Sequence, residues 1–165
     1  MPATVTVFGS SQPKAGEELY QTAYALGRAL AQAGYALCNG GYGGTMEAAA
    51  RGAREAGGRT LGVTCSLFGR SGPNAYMDRV IQTDDLYHRL RTLVEQGDAY
   101  VVLPGGSGTL VELALAWELC VKKLIPQRPV ILYGEYWRST VEMAARERLK
   151  SARFITIVHS PDEVV

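Results

Sequence analysis

Apolar residues recur along this chain in two alternating rhythms. Short apolar runs at Val5 to Phe8, Tyr35 to Cys38, Thr60 to Val63, Ala99 to Leu103 and Val130 to Leu132 are too brief for helices and predict buried strands. Longer amphipathic stretches separate them. Glu17 to Ala33 carries Leu19, Ala23, Leu26 and Leu30 at helical spacing and closes at Gly34. Further helices are predicted from Thr45 to Ala56, stopping at Gly57-Gly58, from an Asp84-Asp85 cap to about Gln96, from Thr109 to about Lys122, and from Trp137 to Leu149. Arg79 to Gln82 reads as one more strand and Phe154 to Val158 as the last, while Thr64 to Asp78, broken by Gly and Pro, predicts a loop. The tail, Ser160 to Val165, reads as the start of a helix. Strand alternates with helix and hairpin turns are missing, which implies right-handed crossovers and a parallel sheet.

The expected fold class is therefore α/β, a Rossmann-like doubly wound parallel sheet of about seven strands with helices on both faces. At 165 residues the chain fits a single domain, 1–165. With 47% hydrophobic and 20% charged residues, it has the material for a core and not the profile of a disordered segment. A net charge of +1 gives no footprint for nucleic acid, and no basic run points to a membrane surface. No apolar run approaches the roughly 20 residues of a membrane span, and Met1 to Phe8 lacks the features of a signal peptide. Cys38, Cys65 and Cys120 are far apart and contain no CxxC pair, so neither a disulfide framework nor a zinc site is indicated. His88 and His159 make no metal pair by spacing, and no metal is expected. A reducing cytoplasm is the simplest compartment.

Candidate chemistry concentrates where strands run into glycine. Ala99 to Leu103 feeds Pro104-Gly105-Gly106-Ser107-Gly108-Thr109, which opens into an amphipathic helix carrying Glu112 one turn further in. Backbone N–H groups and the positive end of a helix dipole at the mouth of a sheet stabilise an anion such as phosphate. Two other strand-end loops, Gly9-Ser10-Ser11 and Gly40-Gly41-Tyr42-Gly43-Gly44-Thr45, would meet this one beyond the carboxyl ends of the strands. Gly9, Gly41, Gly43, Gly44, Gly105, Gly106 and Gly108 admit close backbone approach, and Ser10, Ser11, Thr45, Ser107 and Thr109 add hydroxyl donors. A phosphate cradle beside an acid points to a sugar phosphate or nucleotide.

Several common readings fail on spacing. No Lys-Ser/Thr follows either glycine turn, which excludes a Walker A loop, and neither turn completes GxGxxG. The GxSxG nucleophile elbow is absent. Of the lysines only Lys14 falls in a strand-end loop, which argues against pyridoxal phosphate chemistry, and no cofactor is expected.

At Pro104-Gly105-Gly106-Ser107-Gly108-Thr109-x-x-Glu112 the chain resembles the LONELY GUY family of nucleoside 5'-monophosphate phosphoribohydrolases. The Gly9-Ser10-Ser11 turn, the Gly40 to Met46 turn, Arg89 and Asp98 add to the resemblance, which covers roughly Val5 to Leu132. It implies cleavage of the N-glycosidic bond of an AMP-like nucleotide, with Arg89 and Glu112 as the catalytic pair, and an assembly of at least a homodimer. Two departures stand out. The family's hydrolases usually carry Arg-Lys where this chain has Arg89-Leu90, with Arg91 the nearest substitute. Gly44-Thr45-Met46-Glu47 is more similar to the related molybdenum-cofactor carrier proteins, which makes a non-catalytic nucleotide or cofactor carrier the alternative function.

Bland readings compete at each position. Thr109-x-x-Glu112 is also a capping box. Glu47, a candidate second acid near the sugar, also suits a helix start by offsetting its dipole. Arg89 and Arg91 also read as solvated helix residues, and Ser10 and Ser11 as turn formers. Tyr42 fits either stacking on a base or covering a neighbouring element. Leu90, Leu93, Val94, Leu113, Leu115, Trp117 and Leu119 give two helices more apolar surface than one sheet face buries, which independently favours self-association.

Overall fold

The computed structural model describes residues 2–69 and 71–165; Met1, part of the N-terminal reading, and Arg70, inside the 64–78 loop, lie outside the described residues. Seven parallel strands form one sheet in the order β4-β3-β2-β1-β5-β6-β7. In chain order the elements are β1 (Thr4–Phe8), α1 (Glu18–Gln32), β2 (Ala36–Asn39), α2 (Thr45–Glu55), β3 (Thr60–Cys65), β4 (Arg79–Thr83), α3 (Leu86–Gln96), β5 (Ala99–Val102), α4 (Ser107–Val121), β6 (Val130–Tyr133), α5 (Arg138–Ala145) and β7 (Ile155–Val158). The chain steps outward from β1 to β4, then returns to the other side of β1 with β5. That reversal opens a crevice beyond the carboxyl ends of β1 and β5.

The central strand shows why the sheet is covered on both faces. Val5 and Val7 pack in the core beneath α1 and α2, while Phe8 packs in the opposite core with α3, α4 and α5. Alternate side chains of a strand point to opposite faces, so a strand apolar at every such position needs two layers. Thr6, fully buried on the second face, is satisfied by donating its hydroxyl to the Leu93 carbonyl of α3 at 3.1 Å. Among the described residues, no helix is long and apolar enough to cross a membrane.

The α1–α2 layer is held by close backbone approach. A Cβ on Gly27 would overlap the Ala49 carbonyl, and one on Gly52 the Tyr24 carbonyl. Ala48, Ala49, Ala50 and Ala53 extend this small-residue contact as buried core.

Four regions differ from the sequence reading. Helix α4 starts at Ser107 rather than Thr109, with Gly106 at its cap position and no side-chain cap. Thr109 and Glu112 therefore form no capping box, because Thr109 already lies within the first turn. The helix predicted to Leu149 ends at Ala145, and Leu149–Phe154 is a 3-10 segment. The Trp117 indole donates to the Ser151 carbonyl at 2.9 Å, tying this segment to α4 and drawing it out of line with α5. The 64–78 region holds the last residues of β3 and a 3-10 turn, Ser66–Phe68, and the tail forms a 3-10 turn at Pro161–Glu163.

Helix propensity alone predicts that Gly52→Ala stabilises the protein by about 1 kcal/mol. The overlap with Tyr24 reverses the sign. Chemical denaturation should show a net loss of about 1–3 kcal/mol, and calorimetry a melting temperature lower by roughly 3–9 °C.

Candidate active site

The crevice at the switch point is a cleft of about 470 Å³. One wall is the β1 loop Gly9-Ser10-Ser11, and the floor is the start of α4, Gly106-Ser107-Gly108-Thr109. N–H groups in the first turn of a helix have no intrahelical acceptor, so those of Ser107, Gly108 and Thr109 face the cleft as donors. The Ser10 N–H donates to the Pro104 carbonyl at 3.3 Å, which joins the two loops. From the far side, Tyr136 Oη donates to the Gly105 carbonyl at 3.1 Å and Trp137 Nε1 to the Leu103 carbonyl at 2.9 Å. The glycine turn is thus clamped by residues after β6 that the sequence reading left out of the site. An adjacent Tyr-Trp pair with polar tips beside a strand end was the available sign of them.

Arg89 and Glu112 meet at the back of the cleft. Arg89 is 6% exposed and Glu112 is 9% exposed. Arg89 sits in the first turn of α3, which Asp85 caps by accepting the His88 N–H at 2.8 Å. Its Nε donates to the Val63 carbonyl at 2.9 Å and its Nη2 to the Gly40 carbonyl at 3.3 Å. Its Nη1 reaches Glu112 Oε1 at 3.5 Å. A Cβ on Gly40 would overlap this guanidinium, which explains a glycine there. Burial raises the Glu112 carboxyl, the Arg89 charge and hydrogen bond pull it back only in part, and together they leave it at about 7. The buried pair rules out the reading of Arg89 as a solvated helix residue.

The second glycine loop supports the cleft more than it lines it. Gly44 has φ +67°, and a side chain there would overlap the backbone of Ser10 and Ser11. Thr45 is buried and donates both its N–H, at 2.8 Å, and its hydroxyl, at 2.9 Å, to the Ser10 carbonyl. Asn39, fully buried, donates to the Met46 carbonyl and accepts the Gly41 N–H, both at 2.8 Å. Asn74 donates through Nδ2 to the Tyr42 carbonyl at 2.8 Å. Gly41, Gly43, Gly44, Thr45 and Gly105 are absent from the cleft lining; Gly105 is packed against Thr109.

Two further candidates fall elsewhere. Glu47 lines a separate recess with Gly43 and Pro73 and accepts the Tyr20 hydroxyl at 3.1 Å. Arg91 is exposed and lines no cleft, because two residues along a helix from Arg89 is nearly the opposite face. The lining instead gains an apolar side from Phe68, Leu86, Leu90 and Val111, which the sequence reading assigned to a loop or to helix surface. Tyr42 lines the cleft as well, but its hydroxyl is taken by the Cys65 backbone.

Comparison with known proteins agrees with this geometry. The chain matches the SLOG cluster4 family over residues 2–165. It is 39% identical over 116 residues to a cytokinin riboside 5'-monophosphate phosphoribohydrolase of Mycobacterium tuberculosis, covering 69% of this chain and 62% of that protein. With the phosphoribohydrolase of the same name from Rhodococcoides fascians it shares 33% identity over 156 residues, covering 88% of this chain and 77% of the relative. Among solved structures it is similar to the molybdenum cofactor binding protein of the phototrophic bacterium Rippkaea orientalis, with a TM-score of 0.78, 30% identity, and coverage of 99% of this chain and 93% of that one.

The raised Glu112 carboxyl makes a stability prediction. A carboxyl that ionises later in the folded than in the unfolded state contributes fully below the unfolded value. That contribution is lost as pH rises toward about 7. Relative to Glu112→Gln, which stays neutral, the parent should lose on the order of 2–3 kcal/mol between about pH 4.5 and 8 in denaturant titrations. A parent that gains stability over the variant in this window would show that the ion pair outweighs the burial cost.

Proposed function

The chain belongs to the SLOG cluster4 family, and we propose that it is a nucleoside 5'-monophosphate phosphoribohydrolase that converts an AMP-like nucleotide and water into free base and ribose 5-phosphate. The observation that carries this reading is a buried carboxylate, Glu112, facing Arg89 one turn along the helix whose first N–H groups floor the cleft. In this reading the phosphate rests on the Ser107, Gly108 and Thr109 amides, with Ser10, Ser11 and Ser107 hydroxyls as further donors and Gly9 and Gly106 admitting close approach. The pentose then lies toward Glu112.

Cleavage of the glycosidic bond leaves its electron pair on the base and positive charge on the sugar. Water bonds to the anomeric carbon; one of its protons ends on the base and the other stays in the new hydroxyl. An ionised Glu112 stabilises the charge that develops only in the transition state and orients the water. The Arg89 guanidinium acts as a fixed charge and is not the proton donor to the base. Fixed to two backbone carbonyls, it opposes the burial cost of the Glu112 charge. Glu47, in its separate recess, takes no part in this step.

A second reading is a carrier that binds a nucleotide or the molybdenum cofactor without turnover. The Gly44-Thr45-Met46-Glu47 turn and the likeness to a molybdenum cofactor binding protein over 99% of the chain favour it. Adenine release from AMP, followed by chromatography, separates the two.

Leu90, Leu93, Val94 and Leu113 are buried and Leu115, Trp117 and Leu119 pack against the core, so the surplus apolar surface expected there is not found; we infer an assembly of at least a homodimer from other exposed apolar groups near the starts of α3 and α4, Leu86, Tyr87, Leu110 and Val111. The three free, buried cysteines suit a reducing cytoplasm.

In the chromatographic assay Glu112→Gln should lose about 100-fold or more in kcat. Arg89→Lys should follow it, because a lysine cannot span Val63, Gly40 and Glu112 together. The parent kcat/KM should rise with pH to a plateau above about 7 as Glu112 ionises; a flat profile with an active Glu112→Gln overturns the mechanism. Sedimentation at micromolar concentration should give at least twice the 17.8 kDa chain mass.

A further inference from the structure

The cation opposite Glu112 is held by more than its hydrogen bonds. The Arg89 guanidinium carbon lies 5.7 Å from the Tyr42 ring centroid and 5.3 Å from that of Phe68. The two rings are themselves 6.0 Å apart and tilted by 39°. Three similar separations describe a compact triangle, so the two rings flank the guanidinium from neighbouring directions rather than sandwiching it, and both also line the cleft.

The end of β3 organises this triangle. The Val63 carbonyl takes Arg89 Nε. The Cys65 backbone fixes Tyr42, accepting its hydroxyl proton at 3.1 Å and donating N–H to the same oxygen at 2.8 Å. Phe68 follows in the 3-10 turn that continues the strand. Aromatic faces stabilise a cation without carrying a counter-charge. A carboxylate in their place would neutralise Arg89 and weaken its pull on Glu112. Rings fix the cation's position and leave its charge for the carboxylate across the cleft.

We propose that Tyr42 and Phe68 are positioning residues, whose rings hold the Arg89 guanidinium facing Glu112. Its consequence for turnover rests on the phosphoribohydrolase reading; its geometric half does not. Among the described residues, the charged group facing Glu112 is Arg89 of α3, and its other titratable neighbour is Cys38 of β2, whose thiol burial pushes up to about 12 and keeps protonated.

The test follows the Glu112 carboxyl carbon by NMR in glutamate-labelled protein without substrate, assigned by its loss in Glu112→Gln. Phe68→Leu and Tyr42→Leu keep apolar bulk but remove the ring face, and each should raise the Glu112 titration midpoint by about 0.5–1 pH unit. Tyr42→Phe keeps the ring and should move it less than Tyr42→Leu. In the AMP assay the leucine variants should lose about tenfold in kcat with KM changed less than threefold, and the acid limb of the rate profile should move with the midpoint. Folded leucine variants whose Glu112 titrates as in the parent overturn the proposal even if AMP is cleaved. A shifted midpoint in a protein that never cleaves AMP supports the positioning and sinks the hydrolase reading instead. Phe68 is 37% exposed on a surface turn, so Phe68→Leu decides the matter if Tyr42→Leu does not fold.

Discussion

The carboxyl group of Glu112 is withdrawn from water beside a cation that cannot move away. Burial alone favours its neutral form, and the 3.5 Å approach of Arg89 is what keeps ionisation within reach of neutral pH. The position of Arg89 in turn constrains its surroundings. Two guanidinium nitrogens are committed to the Val63 and Gly40 carbonyls, so the ends of β2 and β3 must stay in register with the first turn of α3. Gly40 must lack a side chain because the guanidinium fills that space. An ionisable pair at the switch point therefore fixes loop geometry on the far side of the sheet.

The glycine loops differ in what they contribute. The turn after β5 presents backbone donors, and its own position is set from outside by Tyr136 and Trp137. The turn after β2 is consumed by internal bonds. Asn39 and Asn74 act as substitutes for backbone, one below the loop and one beside it, and Thr45 spends both its donors on Ser10. Glycine-rich sequence thus has two physical uses here: open space on the cleft at Gly106 and Gly108, and access for another stretch of backbone at Gly44.

That distinction also marks where sequence reading succeeds. Strand and helix identities followed from apolar periodicity, since a doubly covered parallel sheet imposes continuous apolar runs on its central strands and one-sided patterns on its helices. Even β4, an edge strand with mostly exposed residues, was legible between its punctuation points. Glu112 was legible as an acid one turn past the glycine-rich helix start, whereas Arg89 and its pairing with Glu112 were legible only through the family motif. Nothing in their spacing of 23 positions announces an ion pair; α3 and α4 bring them together. Arg91 was over-read for the same reason: adjacency in sequence is not adjacency on a helix. The start of α4 was misplaced because Ser107 and Gly108 have low helix propensity, and the backbone there is set by the strand end and the clamp from β6. Asn39 and Asn74 escaped notice because a side chain bonded to backbone leaves no periodic trace.

The two faces of the sheet have divided their tasks. Helices α1 and α2 are in extensive contact through Gly27, Gly52 and alanines, an arrangement that leaves no room between them. Helices α3 and α4 touch sparingly, and at the carboxyl end of the sheet the space between them holds Arg89, Glu112 and the cleft. Packing the second face as tightly as the first would close the cleft over the carboxyl group; loosening the first would remove the apolar burial that offsets the cost of the ion pair. The aromatic groups at the end of β3 fit this division. They bound the cleft with apolar area and carry no counter-charge; among the described residues, Glu112 is the carboxylate paired with the guanidinium. The buried carboxyl of Glu112 is thereby bounded on its cationic side by rings and carbonyl dipoles, and on its open side by the N–H groups of the first turn of α4.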